Sequence, residues 1–284
     1  MHVTLATCAA LPGLAPDDRH LLGALRARGI AADPAVWEDP LVAWSATQLC
    51  VIRSTWDYAY RREEFLAWSR TAAAETVLWN PAPVVEWNTH KRYLVELGER
   101  GVPTVPTRLL PARSEPDLDA VLDDLGWSDV VLKAAVAQTG RYLLRVPPHE
   151  RARGQLHLAR VLRTEDMLVQ PFLSGVVGGG ETSVVFVDGA ISHAVRKLAA
   201  AGDFRVHDDY GGSIEPVMPT PAERAVAEAA MEAAGGPLLY GRVDLVPGLE
   251  GPVVMELELV EPDLFLGFAP GAADRLAQAI IDRL

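Results

Sequence analysis

The sequence predicts an α/β protein in more than one domain, and three observations lead there. Strand and helix patterns alternate over roughly the first 80 residues, the order that yields a parallel sheet. Two prolines within Asn80-Pro81-Ala82-Pro83 then interrupt any regular element and mark a linker. Near the C-terminus, two runs with a period of two flank the turn material Pro247 to Pro252, which reads as a hairpin.

Composition sets the bounds. With 284 residues, 49% hydrophobic and 23% charged, the chain can bury a substantial core in two or three domains. A net charge of −12 without a Lys/Arg run argues against a nucleic-acid or anionic-membrane surface. The only two cysteines, Cys8 and Cys50, lie in apolar stretches without metal-ligand spacing and read as buried thiols of a reducing compartment. The N-terminus has no basic leader, and no apolar run approaches the ~20 residues a membrane span needs, so a cytoplasmic protein is expected.

Val3 to Ala9 is the first strand, and Asp17-Asp18 opens a helix through Leu21, Leu22 and Leu25 that Gly29 closes. Val36-Trp37 and Leu49 to Arg53 are further strands, and Arg61 to Ala73 a helix. The cluster Ser54-Thr55-Trp56-Asp57-Tyr58 follows a strand directly. Ligands of open parallel sheets bind beyond the carboxyl ends of strands, so Arg53, Ser54 and Asp57 are candidate substrate contacts; the alternative is a helix cap with Trp56 as core.

Beyond the linker, Asn88 and Thr89 can cap a helix from Lys91 to Arg100, and Asp117 to Leu125 forms another. Val130 to Lys133 is a strand ending in a lysine, followed by a small-residue loop and a second strand, a shape that can cover phosphates although it is not a Walker A loop. His149 to Leu162 reads as a solvated helix. Met167 to Leu173 is a strand broken by Pro171, which points to an edge or a crossing between lobes. Gly178 to Gly180 reads as flexible, Thr182 to Val187 and Ile191 to Arg196 as a hairpin around Asp188-Gly189, and Tyr210 to Gly212 as a turn. Helices over 222–234 and 272–284 complete the chain.

The stretch Met255 to Phe265 carries the chemistry. Glu256 and Glu258 share one strand face, and pairing Val246 with Val254 puts Asp244 opposite Glu256 at roughly 5 Å between β-carbons. At an effective dielectric of 20 that repulsion is on the order of 3 kcal/mol and needs compensation by solvent, a proton or a cation. Three carboxylates on a strand pair suit Mg2+; the bland reading is a solvated strand face.

In this order the features resemble the ATP-grasp superfamily of carboxylate-amine ligases. The resemblance rests on Lys91, Lys133, the strand Leu168-Val169-Gln170-Pro171-Phe172, Glu181, Arg196, Arg205, and Asp244 ahead of Glu256-x-Glu258. It implies an ATP-grasp fold with a small N-terminal parallel α/β domain (1–85) and two α+β lobes (86–168 and 169–284) that sandwich ATP. Lys91 and Lys133 would hold phosphates, Gln170, Pro171 and Phe172 the adenine, and Glu181 the ribose. Arg196 and Arg205 would be catalytic and stabilise the transferred phosphoryl group, with Asp244, Glu256 and Glu258 binding Mg2+. The common family pattern is E-x-N, here E-x-E, and the loop after Lys133 lacks the usual glycine pair.

The segments IRSTWDY, AVRK, DFRV, YGGSIEP and MELELVEP look most like the branch that includes the D-cycloserine-forming cyclo-ligase. The expectation is an ATP-dependent ligase that activates a small amino-acid-type carboxylate as an acyl phosphate and forms an amide. An intramolecular cyclo-ligase and a non-catalytic nucleotide-binding protein are the alternatives. A small amino-acid-like molecule is the expected partner, with neither nucleic acid nor membrane, and a homodimer is implied by the many dimers of the superfamily.

Overall fold

The structure is a computed structural model that describes residues 1–138, 140–200 and 211–284. The chain begins with β1 (His2–Thr7), α1 (Asp18–Ala27), β2 (Ala31–Val36), β3 (Leu49–Ile52), α2 (Arg62–Glu75) and β4 (Val77–Trp79). The four strands form a parallel sheet in the order β2-β1-β3-β4, as strand-helix alternation predicts. Burial on both faces explains why β1 and β3 are near-continuous apolar runs. Trp37, Phe65 and Trp68 cover one face in edge-to-face and tilted ring contacts. Both cysteines are free and buried, as expected.

The two prolines of the linker do not break the chain. They open α3 (Ala82–Asn88), with Pro81 as its cap and Pro83 in its first turn, where a missing N–H costs nothing. The helix expected over Lys91 to Arg100 shrinks to α4 (Tyr93–Glu99). Asn88 caps nothing there: its amide donates to the Leu257 carbonyl (2.8 Å) and accepts from the Leu259 N–H (2.7 Å).

Next come β5 (Arg108–Leu110), α5 (Leu118–Leu125), β6 (Val130–Ala134), β7 (Leu144–Val146), α6 (Arg151–Val161) and β8 (Met167–Pro171). The strands make an antiparallel sheet ordered β5-β8-β6-β7. Leu118, Leu122, Leu158 and Val161 pack α5 and α6 onto Val130 and Leu132, so α6 is not the solvated helix expected. Pro171 pairs with Val130 at the end of β8, beyond the last residue that β5 reaches, so its missing N–H disturbs no ladder. The expected boundary between 168 and 169 cuts through β8; we propose to divide the lobes after Pro171.

The remaining elements are α7 (Gly175–Gly179), β9 (Glu181–Val187), β10 (Ala190–Leu198), β11 (Ser213–Val217), α8 (Pro221–Ala234), β12 (Tyr240–Pro247), β13 (Pro252–Glu258) and α9 (Ala272–Ile281). The glycines of 175–179 are thus helical rather than an open linker. Gly180 has φ +71°, and a β-carbon there would lie 2.5 Å from the Lys197 carbonyl. Positive φ at Asp188 and Gly189 closes the β9-β10 hairpin where the sequence predicts it. The antiparallel sheet runs β11-β10-β9-β12-β13.

Asp244 lies opposite Glu256 as expected, but Val246 pairs with Val253 instead of Val254. Met255 is an extra residue on β13, a bulge that the simple alternation hides. One face of this sheet packs Val184, Phe186, Val243 and Leu257 against Ala227 and Ala230 of α8. The other face meets α9 and the N-terminal sheet through Val185, Val195 and Tyr240, and further along carries charge.

Asn80 joins the N-terminal sheet to the C-terminal one. Its fully buried amide donates to the carbonyls of Tyr240 (2.9 Å) and Leu259 (2.6 Å) and accepts from the Leu239 N–H (2.8 Å). Replacing it strands three backbone groups. Asn80→Ala is expected to cost about 3 kcal/mol, read as a lower urea midpoint with an unchanged slope.

Candidate active site

A cleft of about 770 Å³, open mouth included, lies between the central and C-terminal sheets. One end is apolar: Val131 of β6, Leu143, Pro171 of β8, Leu173 and Val176. Phe172 adds a ring capped by the Arg145 guanidinium at 3.5 Å from its centroid. The Gln170 side chain donates to the Thr107 hydroxyl at 2.8 Å, so what it offers a ligand at the cleft wall is limited to its remaining groups and backbone.

The other end is ionic. Alternation along β9, β10, β12 and β13 puts Glu181, Lys197, Arg242, Asp244, Glu256 and Glu258 along it, and Lys133 reaches in from β6. Arg242 forks onto both oxygens of Asp244 at 2.9 Å each and reaches Glu258 at 2.8 Å. Lys91 and Lys133 contact Glu256 at 3.0 and 3.4 Å. Lys197 pairs with Glu181 and stands 3.5 Å from Asp244, which also accepts from the Ser183 hydroxyl at 2.5 Å. Four carboxylates thus face four cations.

The titrations follow from that packing. Burial alone would raise Asp244, but Arg242 and Lys197 override it and hold the carboxyl at about 2. Burial pulls Lys91 down too, and the Glu256 carboxylate reverses it, leaving Lys91 above the ordinary lysine range. For Lys133 burial wins and the ammonium is lowered. Burial raises Glu181 and Glu258.

Among the described residues, no three carboxylate, imidazole or thiol groups converge closely enough to hold a metal ion. Lys91, Lys133, Lys197 and Arg242 lie against these carboxylates and offset the charge that Asp244, Glu256 and Glu258 share. The donor types nevertheless suit Mg2+: three hard carboxylates on neighbouring positions of one strand pair, with lysines and an arginine alongside.

Several expected residues are not brought into this cleft. Arg196 lies on the opposite face of β10, bound to the Thr182 hydroxyl (3.1 Å) and to Glu223 of α8 (3.4 Å). Successive strand residues face opposite ways, and Lys197 is the cleft residue. Arg205 and the 203–205 segment, like Thr139 and Tyr210, fall outside the described residues.

Arg53 and Ser54 are core groups rather than open substrate contacts. Arg53, 1% exposed, donates to Asp18 (2.7 Å) and to the Pro262 carbonyl (2.5 Å), and Ser54 donates to the other Asp18 oxygen (2.6 Å). Asp57 accepts from the Trp37 indole (2.9 Å) and from Arg61 (2.8 Å). The Arg53–Asp18 ion pair is buried within the N-terminal domain, and Arg53 reaches across the domain junction only to the Pro262 carbonyl.

Three residues escaped the sequence reading. Lys197 was one position from the arginine chosen. Arg242 was signalled by Arg-x-Asp, which puts both side chains on one strand face. Glu261, 8% exposed, accepts from the Gln138 amide, and burial beside Glu258 pushes its carboxyl up to about 8.

Comparison with known proteins agrees with this geometry. Residues 3–80 match the model of the N-terminal domain of D-cycloserine synthetase DcsG, and residues 92–264 the RimK-like ATP-grasp domain. The cycloserine biosynthesis protein DcsG of Streptomyces lavendulae is 38% identical over 93% of this chain and 92% of its own. The crystal structure of D-cycloserine synthetase DcsG superposes with a TM-score of 0.89 at 35% identity, covering 100% of this chain and 99% of that one. A probable alpha-L-glutamate ligase of Thioalkalivibrio sulfidiphilus is 31% identical over 51% of this chain and 47% of its own. A bipartite apolar and ionic cleft between two antiparallel sheets, with both family models matched in order along the sequence, leads to one conclusion: the chain belongs to the RimK-like ATP-grasp ligases.

Proposed function

We propose that this ATP-grasp ligase activates the carboxylate of a small amino-acid-type substrate as an acyl phosphate and closes an amide within the same molecule. ATP and Mg2+, and carbon-nitrogen ligation, come with the family. The observation that carries the cyclising step is the likeness to the cycloserine protein along 93% of the chain, N-terminal domain included, whereas the glutamate ligase matches 51%. The reading carries with it a small-molecule substrate and a cytoplasmic location; among the described residues no helix is long and apolar enough to cross a membrane.

In this reading the apolar end of the cleft takes the adenine along Gln170, Pro171 and Phe172, and Glu181 takes the ribose. Lys91 and Lys133 release Glu256 for phosphate oxygens, an exchange of one anion for another on a point charge. Bound Mg2+ supplies charge neutralisation on the phosphates, with Asp244, Glu256 and Glu258 as the residues that would hold it. A substrate carboxylate oxygen attacks the γ-phosphorus as the bond to ADP breaks. The amine nitrogen then attacks the carbonyl carbon, and phosphate leaves with the carbon-oxygen bond. Lys197 and Arg242, the other cations of the ionic end, are assigned to the charge that builds on the transferred group, so that electrostatic stabilisation needs no covalent protein nucleophile.

The test is Mg-ATP turnover on pooled amino-acid-type acids, with and without hydroxylamine, reading ADP and product masses. ADP release without added amine, with a product one water lighter than its substrate, is the expected outcome. ADP release only with a second amine overturns cyclisation, and none from any pool overturns the ligase reading. In the same assay Lys197→Gln is expected to lower kcat on the order of 100-fold. Arg196→Gln is expected to stay within about 3-fold of the parent, since it alters a half-buried pair on the far face of the sheet.

A further inference from the structure

The carboxylates of the cleft differ in one respect. Glu181, Asp244, Glu256 and Glu258 each contact a lysine or arginine. Glu261 lies three residues beyond Glu258 at the rim toward the N-terminal sheet, and among the described residues it has no cation within ion-pair distance. Its side chain accepts from one neutral donor, the Gln138 amide. A buried carboxylate without a cation is costly, and the fold does not supply one.

Three parts of the chain meet around it. Gln138 comes from the loop between β6 and β7, Tyr58 from the cluster after β3, and Glu261 from the segment after β13. The Trp56 indole donates to the Glu261 backbone carbonyl at 3.1 Å, and its side chain is 38% exposed. The other amide atom of Gln138, Oε1, is buried without a partner. A carboxylate lacking a cation, an orphan acceptor and a partly exposed aromatic ring share one preference, a ligand that brings N–H donors and positive charge.

We propose that Glu261 is the specificity residue that binds an ammonium group of the substrate, with Gln138 Oε1 and the Trp56 ring as its companions. This rests on the amino-acid-type substrate proposed above. It makes Glu261 the selector of amino acids over the corresponding hydroxy acids. Because Gln138 belongs to the loop that follows Lys133, occupation of the Glu261 site also bears on the segment beside the phosphate end of the cleft.

The experiment measures thermal stabilisation of the full chain by Mg-ADP, then by Mg-ADP plus D- or L-serine, D- or L-alanine, or the matching glycerates and lactates. In the parent protein at least one amino acid is expected to bind on the order of 10-fold more tightly than its hydroxy acid. That preference is expected to vanish in Glu261→Gln and to weaken in Glu261→Asp, which keeps the charge and serves also if the glutamine variant does not fold. The response to Mg-ADP alone is expected to survive in both. Absence of any amino preference in the parent, or its persistence in Glu261→Gln, overturns the assignment. Loss of the Mg-ADP response in the parent is a separate result, which overturns the nucleotide site and the Glu261 site argued from it.

Discussion

The opposition of Asp244 and Glu256 across β12 and β13 is the constraint on which the cleft depends. Two like charges at that spacing repel by on the order of 3 kcal/mol at an effective dielectric of 20. The molecule balances them with cations from four separate places: Lys91 ahead of α4, Lys133 on β6, Lys197 on β10 and Arg242 on β12. Each of those cations is partly desolvated by the same packing. The lobes therefore meet through a charge-balanced seam that neither could hold alone, because removing either sign leaves the other buried and unpaired.

That seam gives the site a simple way to accept a charged ligand. In the proposed reading phosphate oxygens would replace carboxylates on the lysines and the carboxylates would become available to a divalent ion, so charge would be exchanged between partners instead of being newly buried. The N-terminal sheet contributes differently. Three consecutive carbonyls, of Glu261, Pro262 and Asp263, are held by the Trp56 indole, Arg53 and Arg242. Arg53, itself locked on Asp18, thereby fixes the course of the chain just after the carboxylate strand.

Much of this was legible in the residues. The alternation of Glu256 and Glu258, the Asp188-Gly189 turn and the opposition of Asp244 to Glu256 follow from local rules, and all three are observed. What failed was information that parity or burial decides. The sequence puts Arg196 at the site, whereas Lys197 is the residue of β10 that lines the cleft, and on a strand a difference of one residue is a difference of a whole face. Arg53 and Ser54 looked like ligand contacts because polar residues after a strand usually are, and only the approach of Asp18 and Pro262 from elsewhere in the chain shows them to be core. The prolines of 81–83 open a helix because position within the first turn decides whether proline breaks or begins one.

The concealment of both cysteines has a practical side. Cys8 and Cys50 are free but buried, and burial pushes the Cys50 thiol far up, away from the reactive thiolate. The folded surface thus presents no native thiol to a reagent. A cysteine introduced at Leu156 on α6 or Leu249 in the β12-β13 turn, both strongly exposed, becomes a unique attachment point for a dye or spin label without first removing anything. The distance between the two lobes can then be followed spectroscopically through a turnover in an otherwise unaltered chain.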